Sequence, residues 1–213
     1  MSFNKFPLKT QLILALIFTP LNFITAYLFT EVFKAPFFMD MIFVYAASFF
    51  GVPCGIITGI ATSLLSAIFW QHNLLHSLYA ICCVTGTLFT WLLITRHKDF
   101  EEAAAFWSRV VLLVFLSAVV ISFEGSLIYV IFFSEIVGSN ENTTVLFLAY
   151  TLIQQGLGLQ FSAFLARLPV NLFDKAIAVF TGYGIYLLIS RLFENLFISP
   201  YNKIIEEKNE RKN

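Results

Sequence analysis

Apolar residues in this chain do not alternate with polar ones. They run in long blocks, cut by short polar breaks. Blocks of this kind, near twenty residues long, predict membrane-spanning helices rather than strands. The first covers about residues 12–29 and carries Pro20, which predicts a kink. Polar and turn-forming residues follow to Pro36. The second block, 37–50, is short, so it is expected to tilt or to start at the interface. Gly51-Val52-Pro53 reads as a turn into a third block, 54–70, and Gln71-His72-Asn73 breaks that from a fourth, 74–93.

A charged loop, 96–102, precedes a long fifth block, 106–133, with Glu124 inside it. A polar stretch around Gly138-Ser139-Asn140 comes next. The segment 145–166 is apolar at both ends but holds Gln154, Gln155, Gly156, Gly158 and Gln160 in its middle. A last clear block spans 173–192.

Composition sharpens this picture. Hydrophobic residues make up 59% of the 213 and charged residues 12%, with 26 Phe. Soluble proteins carry roughly 45–50% and about 25%. The mean hydropathy is +0.82. So few charges would leave a soluble globule of this size with an apolar surface. The formal net charge is zero, which offers no basic field for nucleic acid.

The charges are also partitioned. Residues 41–95 contain no Asp, Glu, Lys or Arg, whereas 191–213 are dense in both signs. Lys5 and Lys9, Arg96 and Lys98, and the basic tail are expected on the cytoplasmic side, as basic residues near span ends usually are. That requires an even number of crossings between Lys98 and the tail. Three blocks lie there, and 145–166 is the weakest. The expectation is an all-α polytopic bundle over 1–198 with about six spans. The segment 145–166 would be re-entrant or interfacial, and 199–213 a charged cytoplasmic tail. Seven spans with an external tail is the alternative. The first block is expected to stay as an uncleaved helix, since no small-residue cleavage site follows it.

Cys54, Cys82 and Cys83 sit in apolar runs and read as buried packing residues, not as a disulfide framework. His72 and His76 are four apart but lack the glutamate of a zinc helix, so they read as interfacial and no metal is expected. No phosphate loop or nucleophile motif is present, and neither catalysis nor a cofactor is expected.

Two patterns remain. Ala47, Gly51, Gly55, Gly59, Ser63 and Ala67 recur every fourth position. On helices they form a stripe that lets another backbone approach closely, from within the bundle or from a partner. Asp40, Glu124, Asn171, Asp174 and Lys175 sit in or beside apolar blocks, where ionisable groups usually face a cavity or a partner. The alternatives are a helix-start charge for Asp40 and a wet helix end for Glu124. For Asn171, Asp174 and Lys175 the favoured reading is capping of the last helix.

The run Phe37-Phe38-Met39-Asp40-Met41 through Phe49-Phe50-Gly51-Val52-Pro53 to Gly55 and Gly59 resembles the substrate-binding S components of energy-coupling factor transporters. There an apolar helix ends in a similar turn, and glycines four apart follow. Ala166-Arg167-Leu168-Pro169-Val170-Asn171 through Asp174-Lys175 is similar to the approach to the final helix in some of those proteins. The resemblance implies a six-helix binding subunit in the inner membrane that captures a vitamin-like small molecule from outside. It also implies docking onto a T component with two ATPases, since the chain has no ATPase segment. It implies a pocket drawing on Asp40, Glu124, Gln154, Gln155 and Asn171. The family's docking alanines on the first helix correspond here to Ala15 and Thr19, so threonine stands in one place. Gly55, Gly59 and Ser63 are further docking candidates. A membrane sensor or scaffold, similar to the N-terminal module of some sensor kinases, is the competing class. A standalone secondary transporter would want internal repeats, and none is clear.

Overall fold

The computed structural model describes residues 6–97, 102–133 and 143–193, and these are mostly helical, with no strand among them. The elements are α1 (Leu8–Val32), α2 (Ile42–Phe50), α3 (Val52–Trp70), α4 (Leu74–Thr95), α5 (Ala103–Phe132), α6 (Thr143–Gln154) and α7 (Leu159–Phe193). Five of them, α1, α3, α4, α5 and α7, are long and apolar enough to cross a bilayer. Their outward faces carry large apolar side chains, among them Leu16, Phe69, Val111, Phe115 and Leu188. Water would not tolerate that much exposed hydrocarbon, but lipid does. The chain is an all-α helical membrane protein. The expected tail 199–213, the loop around Gly138-Ser139-Asn140, Lys5 and Lys98 lie outside the described residues.

Side-chain pairings fix how the helices run. Asn22 of α1 meets Phe43 at the start of α2, and Phe6 stacks edge-on with Phe50 at its end, so α1 and α2 are antiparallel. Gly59 faces Cys83, Thr85 bonds Glu124, Trp107 packs on Phe180, and Phe50 packs on Tyr186. Hence α1, α3 and α5 run one way and α2, α4 and α7 the other. Lys9, Arg96 and Arg191 therefore share one end of the bundle. This is the arrangement that a common cytoplasmic side for basic residues requires.

The short helix α2 is the centre. Eight of its nine residues are buried, all but Phe43. At 1.5 Å per residue it covers about 14 Å, under half of a bilayer core of about 30 Å. The non-helical residues before it are also enclosed: Met39 and Met41 are buried. Irregular backbone is tolerated at such depth only when protein groups satisfy its N–H and C=O. Asn22, itself fully buried, does this twice. Its Nδ2 donates to the Asp40 carbonyl at 2.5 Å and its Oδ1 accepts from the Phe43 N–H at 2.9 Å. Asp174 of α7 does it once, accepting from the Met39 N–H at 2.7 Å. Met39 is left-handed, with φ 49°, a conformation that costs a residue with a Cβ about 1–2 kcal/mol. The Asp174 bond holds it there.

The predicted turn at Gly51 is present. Its φ of 153° and ψ of 158° suit glycine, and Pro53 lies in the first turn of α3. The small-residue stripe is an internal packing face. A Cβ on Gly55 would strike Ser48 and Thr87, and one on Gly59 would strike Cys83. Ser63 also approaches Cys83. As a docking surface, Gly55, Gly59 and Ser63 are already taken up by α2 and α4. Ala15 and Thr19 are also buried, at the floor of a groove whose rim includes Leu16 of α1 and Ile57 of α3. The three cysteines are free and buried.

The segment 145–166 is folded differently from a single lid. It forms α6, a turn with Gly156 at φ 88°, and the opening turns of α7. Val145 and Ala149 pack on Ala166 and Val170. The last helix thus starts fourteen residues earlier than the apolar pattern suggested, and Pro169 lies inside it. Neighbouring helices can compensate for the bond that a proline removes within a membrane helix.

Replacing Asn22 with Ala would orphan the Asp40 carbonyl and the Phe43 N–H. Each buried orphan costs about 1–3 kcal/mol, so Asn22→Ala is expected to lower the unfolding temperature sharply in mild detergent. Thr25→Ala, which removes only a bond from an exposed hydroxyl to the Leu21 carbonyl, serves as the control.

Candidate functional site

The described residues line a partly open cavity of about 150 Å³. It lies in the half of the bundle away from Lys9, Arg96 and Arg191. That size compares with an engineered protein cavity that takes up benzene. Its walls come from α1, the segment before α2, α3, α4, α5 and α7. Phe38, Trp70 and Tyr79 supply aromatic surface, and Ser63, Ser66 and Thr62 supply hydroxyls.

The charged wall is mostly α7. Arg167, Asn171 and Lys175 are four apart and so lie on one helix face. All three are buried, Arg167 at 3% and Lys175 at 1% exposure. The Arg167 guanidinium sits 5.0 Å from the Tyr129 ring centre, a cation–π contact strengthened by its dry surroundings. Its Nη1 also donates to the Ala163 carbonyl at 3.5 Å. Gly125 on α5 lies alongside this side chain, where a Cβ would make ordinary contact with the Arg167 Nε at 3.5 Å. Asn171 donates to the Ser122 hydroxyl at 2.9 Å.

Lys175 is shared between two carboxylates. Its Nζ is 2.6 Å from Asp174 Oδ2 and 3.4 Å from Asp40 Oδ1. Asp174 is fully enclosed, whereas the Asp40 side chain is 47% exposed. Asp174 therefore neutralises Lys175 and also holds the Met39 N–H. Asp40 is the looser partner and faces the open space. Taking such charges out of water costs several kcal/mol per ion, so the cluster survives only because its groups satisfy one another.

The structure places the other expected residues elsewhere. Glu124 accepts from the Thr85 hydroxyl at 2.6 Å in the α4–α5 seam and is not among the cavity's lining residues. Gln154 and Gln155 are exposed at the α6–α7 turn. Of the five binding candidates, Asp40 and Asn171 share the cavity. Asn171, Asp174 and Lys175 do not cap a helix start, because α7 already runs through them. They face the interior at mid-helix instead. Arg167 and Lys175 were not foreseen as binding residues, though their spacing with Asn171 carries the signal. Asn22 was also missed, for a lone Asn in an apolar block reads as nothing in particular. The histidines stay apart in role: His72 is exposed, and His76 packs on Tyr79 at 5.8 Å. No group of three metal-ligating side chains occurs among the described residues.

No protein-family model, curated protein or solved structure matches the chain.

Removing Lys175 alone would leave Asp174 as an uncompensated buried charge, at a cost of about 3–5 kcal/mol. Lys175→Met is expected to unfold well below the parent. Combining it with Asp174→Asn removes the stranded charge and keeps an acceptor for the Met39 N–H. The double variant should recover much of the lost stability in thermal unfolding. A double variant no more stable than the single one would show that the pair is not the unit that matters.

Proposed function

We propose that the chain is the ligand-binding membrane subunit of an importer of the energy-coupling factor type, set in the cell's inner membrane. The observation that carries this reading is the cavity. It is sized for one small molecule, lies in the half away from the basic ends, and is lined by Arg167, Asn171, Lys175 and Asp40. Polar side chains converging on a concave, partly open space within a bundle are what a binding site needs. The subunit would hold a vitamin-like molecule there and perform no covalent chemistry. A T component with two ATPases would supply the energy. The groove between α1 and α3, floored by Ala15 and Thr19, is the docking face that the family resemblance favours.

A sensor reading draws on α7. This helix of 35 residues carries three cavity residues and runs on to Arg191 at the opposite end. Such a rod could report occupancy to a signalling partner.

Purification of the tagged chain from its own membranes in mild detergent separates the two. The importer reading expects a multi-span T component and ATPase subunits to co-purify, and a small molecule to be released on denaturation. Ser66→Trp, which would fill the cavity, is expected to abolish that release while partners are retained. Recovery of a kinase without ATPases would favour the sensor.

A further inference from the structure

We propose that the cavity selects a small amphoteric ligand, with an anionic group held at Arg167 and a cationic group held at Asp40. This rests on the reading of the cavity as a binding site and deepens it by naming the ligand's chemistry.

Charge placement leads to it. The closest ion pair on the cavity, Lys175 with Asp174 at 2.6 Å, is internally compensated. Asp174 also has its other oxygen committed to the Met39 N–H. That pair has little left to offer a ligand. Asp40 differs: its contact with Lys175 is long at 3.4 Å, and nearly half of its side chain is open. Its backbone is pinned by Asn22, so the carboxylate is presented from a fixed base. An ammonium placed against it would gain a charge-assisted bond at a group already on the cavity wall.

Arg167 supplies the opposite sign. Its guanidinium is a planar fork, a shape suited to a carboxylate, with Nη1 already donating to the Ala163 carbonyl. The Tyr129 ring lies against the guanidinium at 5.0 Å and helps to fix it. Both groups line the same cavity of about 150 Å³. A ligand with only one charge would leave one of the two poles without a counter-charge. A ligand with both would satisfy each. Phe38, Trp70 and Tyr79 around the space favour a flat, partly apolar body between the charged ends.

Four probes built on one benzene ring test this on the purified full-length protein in mild detergent. Benzoate carries only the anion and benzylamine only the cation. Phenylglycine and para-(aminomethyl)benzoate carry both, close together and across the ring. Calorimetric titration is expected to show at least one zwitterion binding roughly tenfold tighter than either single-charge probe, as one added charge-assisted bond implies. Arg167→Gln should reduce that zwitterion to the affinity of benzylamine, and Asp40→Asn to that of benzoate. The ranking of probes on the unaltered protein is decisive even if a variant fails to fold. Benzoate or benzylamine binding as tightly as both zwitterions would overturn the proposal, and so would binding by none of the four. Co-purifying ATPases judge the importer reading separately. A charge-indifferent cavity in a chain still bound to ATPases sinks only the ligand class. A zwitterion-selective cavity without ATPases sinks only the importer.

Discussion

Everything in this bundle depends on satisfying a few backbone groups before α2. A nine-residue helix cannot cover a bilayer core alone, so the chain must bring irregular backbone into the interior. That backbone needs partners where water is absent. Asn22 from α1 and Asp174 from α7 provide them. These bonds tie together helices far apart in sequence and fix where the segment 37–41 lies. Asp174 then requires a cation, which Lys175 supplies, and Lys175 draws in Asp40. The charged wall of the cavity is thus a consequence of how the broken span is held.

Close packing elsewhere lets this core be narrow. Gly55 and Gly59 bring α3 close against α2 and α4, leaving space that Ser48, Thr87 and Cys83 occupy. Gly182 does the same for α7 against α2, where a Cβ would press on the Ala46 backbone. Between lipid tails no hydrophobic drive pulls helices together, so such contacts and buried polar bonds carry the association. At the basic end, Phe49, Phe106, Tyr183 and Tyr186 fill the space with rings. The opposite half is not filled in this way, and there the cavity remains.

Much of the architecture was legible in the sequence, because lipid imposes length and apolarity on any segment that crosses it. Of the about six spans expected, five are long helices that follow from that rule, and the short block 37–50 is the nine-residue α2. The turn at Gly51 follows from its Gly-Val-Pro run, and the shared end of Lys9, Arg96 and Arg191 from the bias of basic residues. The start of α7 was not legible. Asn171, Asp174 and Lys175 read as caps of its start, but the helix already runs from Leu159, with α6 packed alongside its first turns. The site was half legible. Asp40 and Asn171 stood out as polar groups in apolar blocks, and both reach the cavity. Glu124 stood out equally and found Thr85 instead, since polarity marks a need for a partner but does not name it. Asn22 and Arg167 act chiefly through groups on other segments, such as the Asp40 carbonyl and the Tyr129 ring, which local patterns do not reveal.

The proline in α7 has one more consequence. It lacks an N–H, so the Leu165 carbonyl has no helical donor. This gap falls between Arg167 and Asn171, inside the run of cavity residues. It is the point where the helix bends most cheaply. The outer arm, from Leu159 to Pro169, is about 15 Å long, and α6 is packed on it. A bend of roughly 10° there would sweep the far tip by about 2.6 Å, carrying α6 along as a lever. The inner arm is locked to Met39 through Asp174, and the tip of the outer arm is tied to α5 by the Gln160–Ser126 bond at 2.9 Å. One missing hydrogen bond thus falls between two anchored arms, and any bend there loads the tie to α5.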